Sequence, residues 1–202
     1  MDSLWDDSRL DKPSTLLKYN VHSFYQNMGI ETIKVIAKYQ ALPCALIFYN
    51  LNGDINVGMA IRSAAIFGFS DVYIIGKRHY DKRSVVGAQH YISVHRHANV
   101  LNSFFKDERI MPIMLEQGGD PLEDFSFKPY LPGVIEKGWK LGIIVGSENH
   151  GLSKDFMKSM TGTPIVSISQ YGIMRSLNVC NAASIVMYEY AKQWRANVIK
   201  RI

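Results

Sequence analysis

The chain has 202 residues, 47% hydrophobic and 20% charged, which suits one soluble domain large enough to bury a core. A formal net charge of +5 and a pI of about 9.1 make it modestly basic, which permits an acidic partner such as RNA without requiring one. No apolar run reaches about 18 residues, which argues against a helical membrane span, and two isolated cysteines, Cys44 and Cys180, argue against a disulfide framework or a zinc site and fit a reducing compartment.

In chain order, residues 1–22 are polar and mixed, hold Pro13, and read as an arm or short helix suited to packing on a partner subunit. The acidic start lacks the apolar core of a signal or transit peptide, so a cytoplasmic protein is expected. Ile33, Ile36 and Ala37 recur at helical spacing and predict a helix over 24–39. The continuous apolar run 44–49 predicts a strand buried on both faces. A turn at 50–54 leads into a helix over 56–67 closed by Gly68, and a second strand follows at 72–75. Strand, helix and strand within about thirty residues form a βαβ unit, hence a parallel sheet.

Residues 77–97 hold Lys77, Arg78, Lys82, Arg83 and Arg96, four histidines, the lone acid Asp81, and the interleaved Tyr80 and Tyr91. This segment reads either as a phosphate-tracking surface with stacking rings or as a solvated loop face. His95 and His97 alternate as on one strand face, and no carboxylate or cysteine set accompanies the histidines, so no metal site is expected. Further on, the pattern predicts a helix over 100–105, a strand over 110–115, turns over 118–138 with a short helix near Tyr130, and a strand over 141–145. A helix over 153–160 capped by Ser153, a last strand over 164–168 and a long helix over 178–194 complete an α/β domain.

Three stretches concentrate chemistry-bearing residues. In Asn56-Val57-Gly58-Met59-Ala60-Ile61-Arg62, a guanidinium sits among apolar neighbours; it either snorkels to solvent or faces a cleft, where its planar fork suits phosphate oxygens. Asn56 either caps its helix, orients Arg62, or holds substrate. In Gly146-Ser147-Glu148-Asn149-His150-Gly151, Glu148 lies just past a strand end, where open α/β sheets bind ligands. It is either an exposed loop carboxylate or a partner that pairs with Arg62 or orients Asn178. His150 is a weaker candidate base. In Ser176-Leu177-Asn178-Val179, either Ser176 or Asn178 can cap the final helix, whose free N–H groups converge on a ligand position.

Together, in this order and spacing, the three stretches resemble the motifs of the TrmH (SpoU) family of RNA ribose 2′-O-methyltransferases, within the SPOUT superfamily. The resemblance covers roughly residues 44–195. It implies a parallel sheet flanked by helices with a C-terminal trefoil knot, residues 1–43 being an N-terminal extension and 44–202 the methyltransferase domain. It implies S-adenosylmethionine (AdoMet) as cofactor, held by Leu115, Glu116 and Gln117, by Gly146 and Ser147, and by Ile168, Ser176 and Leu177. Asn56, Arg62, Glu148, Ser176 and Asn178 fall on the family's catalytic positions. The family is typically a homodimer with the site completed near the subunit interface, and its substrate is RNA. The loop 172–179 looks especially like the branch that methylates a D-loop guanosine ribose in transfer RNA. The short leader, lacking an accessory domain, fits the small branch acting on the anticodon loop. One departure is Cys180-Asn181, where family members often carry Ser after the Ser-Leu-Asn-Val run.

Overall fold

The computed structural model describes residues 20–51, 53–76, 79–99 and 103–198. Most of the expected arm, Lys77, Arg78 and the start of the helix expected over 100–105 lie outside the described residues. The fold is an α/β sandwich on one parallel sheet. Its strands are β1 (Leu42–Tyr49), β2 (Phe69–Ile75), β3 (Ser93–His97), β4 (Ile110–Pro121), β5 (Lys140–Val145) and β6 (Ile165–Ser167), ordered β3-β2-β1-β5-β4-β6. The central strand β1 has Cys44 to Phe48 with no exposed surface at all, which is why its sequence is continuously apolar rather than alternating.

Helices α1 (Ile30–Gln40), α2 (Asp54–Phe67), α3 (Lys82–Val85), α4 (Phe104–Asp107), α5 (Leu131–Lys137), α6 (Lys154–Ser159) and α7 (Val179–Asn197) complete the described chain. Leu46 and Phe48 of β1 point to one face, where Val57, Ala60 and Ile61 of α2 and Ala183, Val186 and Tyr190 of α7 cover them. Ala45 and Ile47 point to the other, under Phe104 of α4 and Phe156 of α6. The small buried residues Ala60 and Ala64 of α2, and Ala183 of α7, keep those helices slim where they lie on the sheet and each other, and Gly58 of α2 makes room for Ser84 of α3. The expected stops hold: Gly68 closes α2 at φ +80°, its N–H reaching Ala64 and Ala65 carbonyls, and Ser153 Oγ caps α6 by accepting from Phe156 N at 3.2 Å.

Several expectations need correction. The helix expected over 24–39 is a 3-10 turn at Ser23–Tyr25 followed by α1, broken at Gly29, whose extended backbone starts the second element. Within 77–97 the strand-face alternation of His95 and His97 holds, and it is the loop reading that fails there: 93–97 form the edge strand β3, which carries His95, Arg96 and His97 without the apolar run that marks inner strands. β2 starts three residues earlier than its apolar stretch because it contains Asp71, only 7% exposed.

Asp71 is paid back by partners from three strands. Lys140 Nζ donates at 2.8 Å, His95 Nε2 lies at 2.7 Å, and Ser70 Oγ donates at 2.6 Å. Burial alone pushes its carboxyl up, but these donors outweigh it and hold it below the ordinary carboxylate value. A carboxyl depressed in the fold contributes stability above its unfolded value, about pH 4, and loses it as pH falls further. Asp71→Ala is therefore expected to cost about 2–4 kcal/mol at neutral pH, measured by urea unfolding, because it leaves Lys140 without its carboxylate. The variant should also lose less stability than the parent when both are taken from about pH 5 to about pH 3.

Candidate active site

β1 and β5 are neighbours, yet the helices that follow them lie on opposite faces: α2 on one, α6 on the other. Where successive crossovers diverge in this way, a crevice opens beyond the carboxyl ends of the strands. The chain fills that crevice with side chains from three distant segments. Asn178 Oδ1 caps α7, accepting from Cys180 N at 2.9 Å and Asn181 N at 3.4 Å. That fixes its amide orientation, and its Nδ2 donates to Asn56 Oδ1 at 3.0 Å. Asn56 Nδ2 in turn donates to Glu148 Oε1 at 2.9 Å, and the same oxygen accepts from Gly53 N at 2.9 Å. The result is a one-directional relay, Asn178 to Asn56 to Glu148, that locks the starts of α2 and α7 to the loop after β5. The link between Asn56 and Glu148 is none of the alternatives the sequence offered for either residue, and Glu148 reaches Asn178 only through Asn56; Asn178, not Ser176, caps α7.

Beside the relay lies a cleft of about 470 Å³. Leu115, Glu116 and Gln117 line one wall, Gly146, Ser147 and Glu148 the floor, and Ile168, Ser176, Leu177 and Asn178 the other wall. The first wall exists because β4 leaves its register: Leu115 and Asp120 both pair with Val166, so 116–119 loops out and returns. Gly118 takes φ +79° at that turn, and Gly119 has no room for a Cβ against the Ile165 backbone. Glu116 ties this wall to the floor, its Oε2 accepting from Leu152 N at 2.7 Å. Gln117 ties it to the far wall through Nε2 to Arg175 O at 2.9 Å. Gly146 stands against the Gly151 backbone with no space for a side chain. His150, Gln170 and Arg175 also line the cleft. Of these, Gln170 and Arg175 escaped sequence reasoning; their place in the loop entering the Ser-Leu-Asn-Val run was the available signal.

Arg62 stands apart. It is six residues along α2 from Asn56, hence roughly 9 Å up the axis and about 120° around it. It is exposed and enters no hydrogen bond or ion pair among the described residues. It shares its face with Ile55, Met59 and Ile66, exposed at 58%, 44% and 67%. α7 runs alongside in the same direction, since Asn56 meets Asn178 at their starts and Phe67 meets Tyr188 with ring centroids 6.0 Å apart. Its exposed Ile185 and Tyr188, with Leu177 just before it, extend the apolar face around Arg62.

A profile of the SpoU rRNA methylase family matches residues 43–188, which takes in β1, the relay, the cleft and most of α7. The chain belongs to the SpoU rRNA methylase family. Among curated relatives, an uncharacterized tRNA/rRNA methyltransferase of Mycolicibacterium smegmatis is 27% identical over 94% of this chain and 63% of its own length. One of Mycolicibacterium paratuberculosis is 30% identical over 77% of this chain and 49% of its own. The chain thus spans about half to two thirds of the length of these relatives. In structure it is similar to the SpoU methyltransferase AviRb from Streptomyces viridochromogenes in complex with AdoMet, with TM-score 0.62 and 23% identity over 78% of this chain and 59% of the other. It is also similar to the TrmH/SpoU tRNA modifying enzyme of A. aeolicus, with TM-score 0.66 and 16% identity over 83% of each chain. These likenesses fix the SpoU fold. Among the described residues no group of His, Cys, Asp and Glu could hold a metal ion, and no helix is long and apolar enough to cross a membrane. Cys180, the departure from the SpoU pattern, is buried in α7, and Asn181 follows it at the helix start, its N–H taken by the cap.

Proposed function

We propose that this chain is an AdoMet-dependent methyltransferase acting on a ribose 2′-hydroxyl of RNA, with tRNA as the substrate class, and that it works as a cytoplasmic homodimer. Residues 44–202 form the methyltransferase domain and 1–43 an extension, and the loops around the cleft belong to a C-terminal trefoil knot. The observation that carries the reading is the coincidence of two things. The relay joins residues from three separate family motifs, and it borders a cleft of the size that encloses a small cofactor.

The cleft fits AdoMet on its own terms. Gly146 and Gly151 bring bare backbone to the surface, the walls offer apolar Leu115, Ile168 and Leu177, and Ser147 and Ser176 add polar edges. When bound there, AdoMet supplies an electrophilic methyl on a positively charged sulfur. The protein's own contribution is positioning and charge. Asn178, held by its cap bonds and by Asn56, fixes the edge of the site nearest the RNA, and Glu148 anchors both. Arg62 is a poor base because it is hardly ever deprotonated; its task is to stabilise the alkoxide that develops as the 2′-hydroxyl passes its proton to a phosphate oxygen of the RNA or to water.

The apolar face of α2 and α7 supports the dimer. Six large apolar side chains accompany a cation there, a face suited to burial against a second copy that brings Arg62 to the partner's cleft. The likeness of 172–179 to the tRNA branch supports tRNA over rRNA. The test is incubation with radiolabelled AdoMet and separate bulk tRNA and rRNA, followed by nucleoside analysis. Label in a 2′-O-methyl nucleoside from tRNA is expected. AdoMet binding with no label in either RNA would overturn the reading.

A further inference from the structure

Past the relay, the same edge of the sheet continues to a second group of residues. Asp81 N donates to Asp54 O at 3.1 Å, and Ser84 of α3 packs on Gly58 of α2, so the segment after β2 is fastened to the start of α2. Gly76 N donates to His97 O at 2.9 Å, which brings the end of β3 to the same edge. An open hollow lined by Gly53, Asp54, Ile55, Asn56 and Asp81 joins this area to the relay.

At its far side, Arg96 stands over the half-buried Tyr80 ring, its Cζ 5.4 Å from the centroid, and donates to His79 Nδ1. One side of the guanidinium is thus supported, and the residue is exposed on the other. A supported planar guanidinium is a surface on which an unpaired base stacks while its N–H groups meet phosphate. Arg83, nearly bare with its side chain 91% exposed, holds Asp81 through two nitrogens, Nη2 at 2.7 Å and Nε at 3.1 Å. Such a solvent-exposed pair is weak, so a phosphate competes for Arg83 at little cost. Asp54 and Asp81 are the acids that line the hollow.

We propose that Arg96, supported by Tyr80 and His79, together with Arg83 forms a second RNA contact outside the catalytic cleft, holding the backbone and an unpaired base beside the target nucleotide. Three strand steps separate β5 from β3, roughly 14 Å along the sheet edge, so this contact grips nucleotides flanking the one in the cleft. The inference rests on the RNA reading above and adds to it a site in which neither cofactor nor motif residues take part.

The test measures binding of end-labelled unfractionated tRNA by the full chain as a function of salt. The double variant Arg83→Ala, Arg96→Ala is expected to bind about tenfold more weakly at moderate salt, with the slope of log K against log salt reduced by about 1–2. AdoMet affinity should be unchanged and the catalytic loss should appear in KM. Arg96→Lys should restore the salt slope but only part of the affinity, since an ammonium does not stack. Lys106→Ala, Lys137→Ala serves as control, because both residues are exposed and precede strands, at the opposite edge of the sheet. Equal losses in the control, or none in the Arg83/Arg96 variant while the parent binds and methylates tRNA, would overturn this inference alone. A parent that neither binds nor methylates any RNA would overturn it together with the reading it rests on.

Discussion

Replacing Arg62 by alanine is expected to lower methyl transfer by about a hundredfold to a thousandfold while leaving AdoMet affinity within about twofold. The separation follows from geometry. Arg62 is absent from the cleft lining and from the relay, so removing its side chain disturbs neither. It is exposed, so the fold loses little beyond the stem's packing. What disappears is a full positive charge offered to a developing alkoxide. Single-turnover kinetics with saturating AdoMet reads the first number and calorimetry the second. A sharper version mixes subunits. If Arg62 serves the partner's cleft, inactive Arg62→Ala chains combined with inactive Asn178→Ala chains regain activity. A statistical mixture makes half its dimers mixed, each with one intact site, so recovery approaches about a quarter of the parent's rate. Two inactive parents that stay inactive on mixing would mean that each Arg62 serves its own chain or that no dimer forms.

The second large effect is expected at Gly146. A valine there would drive its Cβ into the Gly151 backbone, and neither partner is the yielding end of a flexible side chain. The bridge in which Ser147 N donates to Gly151 O at 3.0 Å and Gly151 N to Ser147 O at 2.8 Å closes this loop tightly. The loop must open, which displaces Glu148 and the cleft floor together. AdoMet affinity is expected to fall at least about a hundredfold, roughly 2.7 kcal/mol, and the relay with it. Gly172→Val, in the facing loop, is the matched control, because a side chain there meets nothing within 4 Å. Equal losses in both variants would count against a specific role for the Gly146 contact.

Much of this architecture is legible in the sequence because its signals are local. The apolar run of β1, the Gly68 stop and the Ser153 cap each act within a few residues. The alternation of His95 and His97 hints at β3, but the start of β2 is illegible for the opposite reason. Asp71 looks like a loop residue until Lys140, 69 positions away, supplies the charge that lets the carboxylate be buried. The looped-out 116–119 segment is a property of pairing with β6, which no periodicity within β4 encodes. At the site the residue types are readable by resemblance, and all eight residues expected to hold the cofactor do line one cleft. Their partnerships are not readable: Asn178 to Asn56 spans 122 positions and Asn56 to Glu148 spans 92. Arg62 shows the limit most plainly, since motif order places it with the site while helix geometry turns it onto an outer face.

The two-ended use of Asn178 ties a local melting event to the chemistry. One end of its amide holds the first turn of α7 and the other holds Asn56, so a displacement of Asn178 loosens both at once. The protection factors of the Cys180 and Asn181 amide protons therefore report the local opening of this shared cap in the unliganded site.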